Sequence, residues 1–242
     1  MATVFGPVAQ LSAEEFRRVT EVSYLGYVYG TQAALRRMTP RGRGTIVQVG
    51  SALAYRAIPL QSAYCAAKFA IRGFTDALRC ELIHQQSAIR VTMVQLPAHN
   101  TPQFDWARSR MPKRFQPVPP IYRPEVAARA ILRAAIDAPR ELWLGRASFQ
   151  AILGTTLMPG LLDRLMARRA WDGQMTADAE DPERPDNLFA PVPAPHAVEG
   201  RFGEQARTDA FALSSTTARM LVAIAIGLVA LGGGVVAAWL AS

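Results

Sequence analysis

Three side chains in the sequence have the types and spacing that proton transfer needs. Ser51 closes a β-branched run, Tyr64 follows thirteen residues later, and Lys68 lies four residues beyond it. Residues four apart on a helix share a face, so the phenol and the ammonium stand one turn apart on the same side. A neighbouring cation favours a phenolate and lowers a pKa that is ordinarily about 10, so Tyr64 could exchange a proton with a substrate near neutral pH. A serine hydroxyl at the end of the adjacent strand could hydrogen-bond the carbonyl or alcohol oxygen being transformed. Lys68 and Lys113 are the only lysines; every other basic residue is arginine. Position 68 therefore keeps a compact point charge in a chain that otherwise uses the planar guanidinium fork.

Such a trio works only if regular elements hold it. Ser12 followed by Glu15 makes a capping box, and the apolar residues Phe16, Val19 and Val22 carry a helix on toward Met38. The polar turn Thr39 to Gly44 ends it, and Thr45 to Val49 is a short β-branched strand. Ser62 to His84 has a helical pattern, Ile89 to Leu96 is a second strand, Glu125 to Asp137 is a helix, and Glu141 to Leu144 is a third strand. Strands separated by helices of this length imply parallel βαβ units with helices on both faces of the sheet, which is an α/β fold. The sequence has no internal repeats.

The 242 residues carry a formal net charge of +8 and are 50% hydrophobic, enough for one good-sized core. The excess charge is spread through the chain as arginine, with no finger spacing, base-stacking motif or basic heptad helix, which argues against a nucleic-acid partner. Cys65 and Cys80 fall on one helical stretch, about 22 Å apart at the helical rise, too far to pair. Two cysteines and the scattered His84, His99 and His196 offer no metal-ligand spacing, so no metal is expected, and a reducing compartment is the simpler setting.

At the C-terminus, Met220 to Ser242 contains no charge and is long enough to cross a bilayer core. Arg201, Arg207 and Arg219 precede it and nothing positive follows, so the expected arrangement is a tail anchor over 219–242 with the globular part in the cytoplasm. Residues 172–218, with five carboxylates between Asp178 and Asp186, then Pro191, Pro193 and Pro195, and little periodic hydrophobicity, are expected to form a disordered linker. Residues 1–171 form the expected folded domain.

The stretch IVQVGSALAYRAIPLQSAYCAAKFAIRGFTDALRCEL resembles the catalytic strand, serine and Tyr-x-x-x-Lys helix of the short-chain dehydrogenase/reductase family. The similarity reaches back to Phe16 and forward to LPAHNTP at 96–102, covering roughly residues 4 to 145. The resemblance implies a Rossmann-like doubly wound parallel sheet, an NAD or NADP cofactor, and hydride transfer to or from a carbonyl/alcohol substrate. It implies that Tyr64 is the general acid/base, that Ser51 polarises the carbonyl, and that Lys68 both lowers the tyrosine pKa and contacts the cofactor ribose. Thr101 would lie near the nicotinamide. The resemblance also makes a homodimer possible, one that would pair through the helices at 12–38 and 62–86 as family dimers do; the sequence does not fix the oligomer.

The chain departs from the family pattern at three places. Ser23 stands where the family usually has asparagine, and Ala98 where it commonly has glycine. The glycine-rich turn that cradles the cofactor pyrophosphate has no counterpart: Gly42 and Gly44 precede a strand, and Gly26 and Gly30 lie inside a helix pattern. The expected domain is thus the C-terminal, catalytic half of a Rossmann-like sheet, shortened at its N-terminus, with the catalytic strand left as an open edge. Residues 103–122 mix Phe104, Trp106, Met111 and Phe115 with Arg108, Arg110, Lys113 and Arg114 and match the family's substrate lid. That mixture suggests a face pressed against anionic headgroups and a hydrophobic substrate. The competing reading is a non-catalytic, tail-anchored remnant that keeps the trio by descent and serves as a membrane-bound interaction module.

Overall fold

In the computed structural model the described residues are 2–193 and 196–240, the side chains of 228–240 excepted. The first helical stretch consists of α1 (Ala13–Thr20), a π-helical turn at Glu21–Leu25, and α2 (Gly26–Met38). Ser12 caps it: its hydroxyl accepts from the Glu15 N–H at 3.2 Å while the Glu15 carboxylate accepts from the Ser12 N–H at 2.8 Å. Next come β1 (Gly44–Val49), α3 (Ser62–His84), β2 (Ile89–Gln95), α4 (Pro124–Asp137) and β3 (Glu141–Leu144). The chain continues with α5 (Gly145–Leu157), α6 (Pro159–Arg169), β4 (Ala212–Ser214) and α7 (Ser215–Leu240).

Strands β1, β2 and β3 are parallel neighbours and β4 adds antiparallel to β3, giving the order β4-β3-β2-β1. Alternation along the strands assigns the two faces. Ile46, Ile89 and Val91 pack under Leu78 and Leu82 of α3, whereas Val94, Leu142 and Leu144 pack under Val126, Ala130 and Ala134 of α4. A sheet covered on both sides needs strands that are apolar throughout, and IRVTMVQ is buried at every position but Arg90.

β1 is one of the two edge strands of this sheet among the described residues. The Gly50 N–H donates to the Val94 carbonyl on β2, so by alternation the Val49 carbonyl faces the free edge. A groove of about 490 Å³ follows this edge, lined by Val22, Ser23, Tyr27, Thr31 and Gln48 among others. Cys65 is buried, Cys80 is exposed, and both are free thiols.

The reading of 172–218 as a disordered linker is corrected by the structure, in which most of the segment is laid across the domain as a strap. Met175–Ala179 pairs with Lys113–Phe115, and Leu188 is fully buried among Ala2, Val4, Val19, Ala63 and Ala67. Phe202 meets Phe104 edge-on, and β4 joins the sheet. The strap is fastened by single residues with irregular spacing, so it leaves no hydrophobic period in the sequence. The boundary placed at residue 219 also moves, because α7 starts inside the fold. Ser214 caps it by accepting the Thr217 N–H at 3.0 Å, and Ala218 is buried with Ala54, Tyr55, Trp143 and Ile152. Most of the span expected over Met220–Ser242 lies outside the residues whose side chains are described. Among the described residues no helix is long and apolar enough to cross a membrane.

Within 103–122, several of the aromatic and basic residues have partners inside the fold. Phe115 stacks on Phe5 at 4.7 Å and packs against Phe104 at 5.3 Å. Arg108 pairs with Asp186 at 2.7 Å, Arg110 with Glu15 at 2.6 Å, and Arg114 with Asp105 at 3.3 Å. Asp186 of the strap, Glu15 of α1 and the lid's own Asp105 pair with these three arginines, while Lys113 is exposed.

Candidate active site

Ser51, Tyr64 and Lys68 come together at the C-terminal end of β1. Ser51 ends the strand in extended backbone and caps a 3-10 turn over Ala52–Ala54, its hydroxyl oxygen accepting the Leu53 N–H at 3.1 Å. One lone pair being used, the hydroxyl proton is free to be donated toward Tyr64 or a substrate oxygen. Tyr64 and Lys68 lie on the first turns of α3, which buries Ala63, Cys65, Ala67 and Lys68 and leaves Tyr64 half-buried.

Lys68 is only 3% exposed. Its Nζ donates to the Val49 carbonyl at 2.8 Å and lies 5.7 Å from the centroid of the Tyr64 ring. Burial lowers its pKa to about 8. The expectation for Tyr64 reverses in sign: burial raises the phenol well above its ordinary value, a rise the Ser51 hydroxyl eases without cancelling. The ammonium is turned to the strand edge, and desolvation of the phenolate sets the sign.

Tyr27 was not singled out from the sequence. Its hydroxyl donates to the same Val49 carbonyl at 2.9 Å, and its ring centroid is 5.3 Å from Lys68 Nζ. Tyr27 and Lys68 together satisfy the outward carbonyl of the edge strand at its catalytic end. The only sequence signal was its place one turn beyond Ser23. Ser23 itself is buried and exchanges two hydrogen bonds with the backbone of Ala2, donating at 2.8 Å and accepting at 3.0 Å.

Thr101 is held by the strap. Its N–H donates to the His99 carbonyl, and the strap approaches so closely that a Cβ on Gly200 would lie 2.5 Å from the Thr101 carbonyl oxygen. The adjacent Asn100 side chain accepts the Phe202 N–H at 2.9 Å.

A dinucleotide can be tested against these residues one end at a time. Lys68 has three N–H donors and spends one on Val49, leaving two beside the Tyr64 phenol that suit ribose hydroxyls. The nicotinamide-ribose end therefore fits. For the pyrophosphate, Gly145 has a φ of 70° and opens α5 after a strand, but a Cβ there would sit 2.9 Å from Tyr122 Oη, so the space is filled. Gly42 and Gly44 lead into β1. Among the described residues no glycine turn offers a phosphate cradle.

Ser51 and Lys68, both buried, and the half-buried Tyr64 thus meet at the C-terminal end of a strand in a parallel, helix-covered sheet, the end at which open α/β sheets bind their ligands. The family model described as short chain dehydrogenase matches residues 2–111. An uncharacterized oxidoreductase of Bacillus subtilis, YxnA, is 34% identical over 192 residues, covering 77% of this chain and 53% of its own length. The putative oxidoreductase SadH of Mycobacterium tuberculosis is 42% identical over 89 residues, or 37% of this chain and 32% of that protein. A 3-dehydrosphinganine reductase of Danio rerio is 30% identical over 135 residues, covering 54% of this chain and 40% of its own. A solved short-chain dehydrogenase from Streptomyces avermitilis shares the fold, with a TM-score of 0.53 at 24% identity over 71% of this chain and 68% of that one. The chain spans about half the length, or less, of the curated relatives it matches.

Proposed function

We propose that this chain supplies the proton-handling half of an NAD(P)-dependent oxidoreductase that interconverts a carbonyl and an alcohol. The observation that carries this reading is the buried Lys68 ammonium, with two unspent donors, beside Tyr64 and Ser51. The dinucleotide, when bound, supplies or accepts the hydride. Lys68 and Tyr64 hold its ribose. Ser51, fixed by the Leu53 N–H, donates its hydroxyl proton to the substrate carbonyl oxygen and orients it. Tyr64 is protonated at neutral pH because burial raises its pKa, so it acts as an acid, giving its proton to the oxygen as the carbonyl is reduced. The charged form of Lys68 is the useful one, since it donates to the ribose and stabilises the phenolate that remains.

A titration of NADH and NADPH fluorescence, followed by carbonyl-dependent oxidation of the bound nucleotide, tests this on the chain and on any longer native form. Turnover is expected to fall by about a thousandfold in Tyr64→Phe. Its pH profile should be flat below about 8 and decline above it as Lys68 loses its proton. A chain and longer form that both fail to bind either nucleotide would overturn the reading in favour of a non-catalytic, membrane-bound module.

The same proposal includes a C-terminal anchor with the domain on the cytoplasmic side. Supporting it are the continuous helix Ser215–Leu240, 26 residues long, and the arginines at 201, 207 and 219 on its N-terminal side. Carbonate extraction of membranes should leave the protein in the pellet, and release to the supernatant would refute the anchor. A hydrophobic substrate is part of the proposal and is checked by comparing long- and short-chain carbonyls in that assay.

A further inference from the structure

Behind the catalytic serine lies a buried network that the mechanism above does not use. Glu141, the first residue of β3, is 2% exposed. The Tyr55 hydroxyl donates to it, with Oη 2.7 Å from Oε1 and 2.6 Å from Oε2. Trp143 Nε1 donates to Oε2 at 2.9 Å, and Gln95 Nε2 lies 3.5 Å from the same oxygen. Gln95 is itself fully buried, and its Oε1 accepts the Ser51 N–H at 2.9 Å.

We propose that Glu141 is the positioning residue for Ser51, a single carboxylate that clamps both ends of the 51–55 turn, one end directly through Tyr55 and the other through Gln95. This rests on the assignment of Ser51 to the reaction made above.

The chemistry leaves one arrangement of the network. An ionised carboxylate only accepts and a backbone N–H only donates, so Gln95 must turn its amide nitrogen to Glu141 and its carbonyl oxygen to Ser51. The negative charge polarises the Gln95 amide and makes its oxygen the stronger acceptor for Ser51. The approach is close enough that a Cβ on Gly50 would fall 2.5 Å from Gln95 Oε1, so the glycine before Ser51 is part of the fit. At the other end, the Arg72 guanidinium lies 3.7 Å from the centroid of the Tyr55 ring and pins it. Burial and the Glu141 charge keep the Tyr55 phenol protonated, an obligate donor. The turn between these fixed ends carries the Ser51 hydroxyl, so the position of that oxygen follows from the carboxylate on β3.

The test exploits donor–acceptor logic. In Glu141→Leu nothing accepts from Gln95, Trp143 or Tyr55, and both ends of the clamp are released. Glu141→Gln is the conservative control: Tyr55, Trp143 and Gln95 all reach Oε2, so an amide oxygen placed there keeps the three bonds while the NH2 at Oε1 meets the Tyr55 hydroxyl oxygen.

Two readouts are taken on the full chain: the amide shift and hydrogen exchange of Ser51 by NMR, and turnover in the oxidoreductase assay. Glu141→Leu should accelerate Ser51 exchange and lower kcat about ten- to a hundredfold with little change in the KM for nucleotide. Glu141→Gln should retain most of both. Tyr55→Phe, a milder change, should loosen only the far end and cost a smaller part of kcat; it also serves if Glu141→Leu does not fold. An unaltered Ser51 amide in Glu141→Leu, or a folded Glu141→Gln as impaired as Glu141→Leu in both readouts, would overturn the proposal. Absence of turnover in the unaltered protein would refute the assigned reaction instead, while the Ser51 amide would still decide the clamp.

Discussion

The sheet with α3 and the described residues of the strap (172–193 and 196–214) are both ordered, yet they are held in different ways. In the sheet, burial is periodic: Ile71, Leu78 and Leu82 recur along one face of α3, and alternate residues of β1 and β2 face opposite layers. Between the short pairings at 175–179 and 212–214, order in the strap comes from isolated anchors, chiefly Leu188 and Phe202, and from arginines that reach across it. Arg184 donates to the Ala107 carbonyl at 2.9 Å, Arg18 to the Leu188 carbonyl at 3.0 Å, and Arg201 pairs with Asp105. Periodic burial makes a unit that unfolds as a whole, whereas point anchors make one that opens locally.

The largest effect is expected in the sheet layer. Ile71→Ala removes a fully buried side chain from α3 and should lower global stability by about 3 kcal/mol, read as a shift in the denaturant midpoint at constant slope. A loss confined to local exchange would erase the distinction between the two regions.

Next comes Glu15, where the regions meet. Burial alone would raise its pKa, but hydrogen bonds from the Ser12 N–H, Arg110 and Arg108 more than offset this and hold the carboxyl below its ordinary value. A lowered folded pKa means the stabilisation is complete above about pH 4.3 and is lost as pH falls through the lower folded value. Glu15→Gln should cost about 2 kcal/mol at neutral pH, less than a fully buried pair would because both arginines are partly exposed. It should also flatten the acid limb of the stability curve, and a limb as steep as before would show that Glu15 is not its source.

The smallest effect on global stability belongs to the strap. Leu188→Ala should speed amide exchange across 184–202 by at least about tenfold while moving the global midpoint little. A midpoint shift equal to that of Ile71→Ala would mean that strap and sheet are one cooperative unit.

The sheet layer was legible in the sequence because periodicity is a local signal. The helix Ser62–His84 and the strand Glu141–Leu144 have the bounds their patterns imply, and Ser51, Tyr64 and Lys68 were found from spacing alone. The strap was not legible, since Leu188 is buried by residues more than 120 positions away. Tyr27, Tyr55, Gln95 and Glu141 escaped notice for a similar reason, being joined only by the fold. Two of them did leave a trace, because a glutamine ending the apolar run IRVTMVQ and a glutamate opening ELWL are polar side chains where the pattern calls for apolar ones. The sign of the Tyr64 shift was out of reach, since spacing gives the neighbour but not the direction in which its ammonium points.

The buried first turn of α7 has a mechanical consequence. β4 runs directly into that helix at Ser214, and Ala218 is wedged against Trp143 and Tyr55, so there is no slack between sheet and helix. A load drawn along the helix would arrive at the β4–β3 ladder and at the residues beside Glu141.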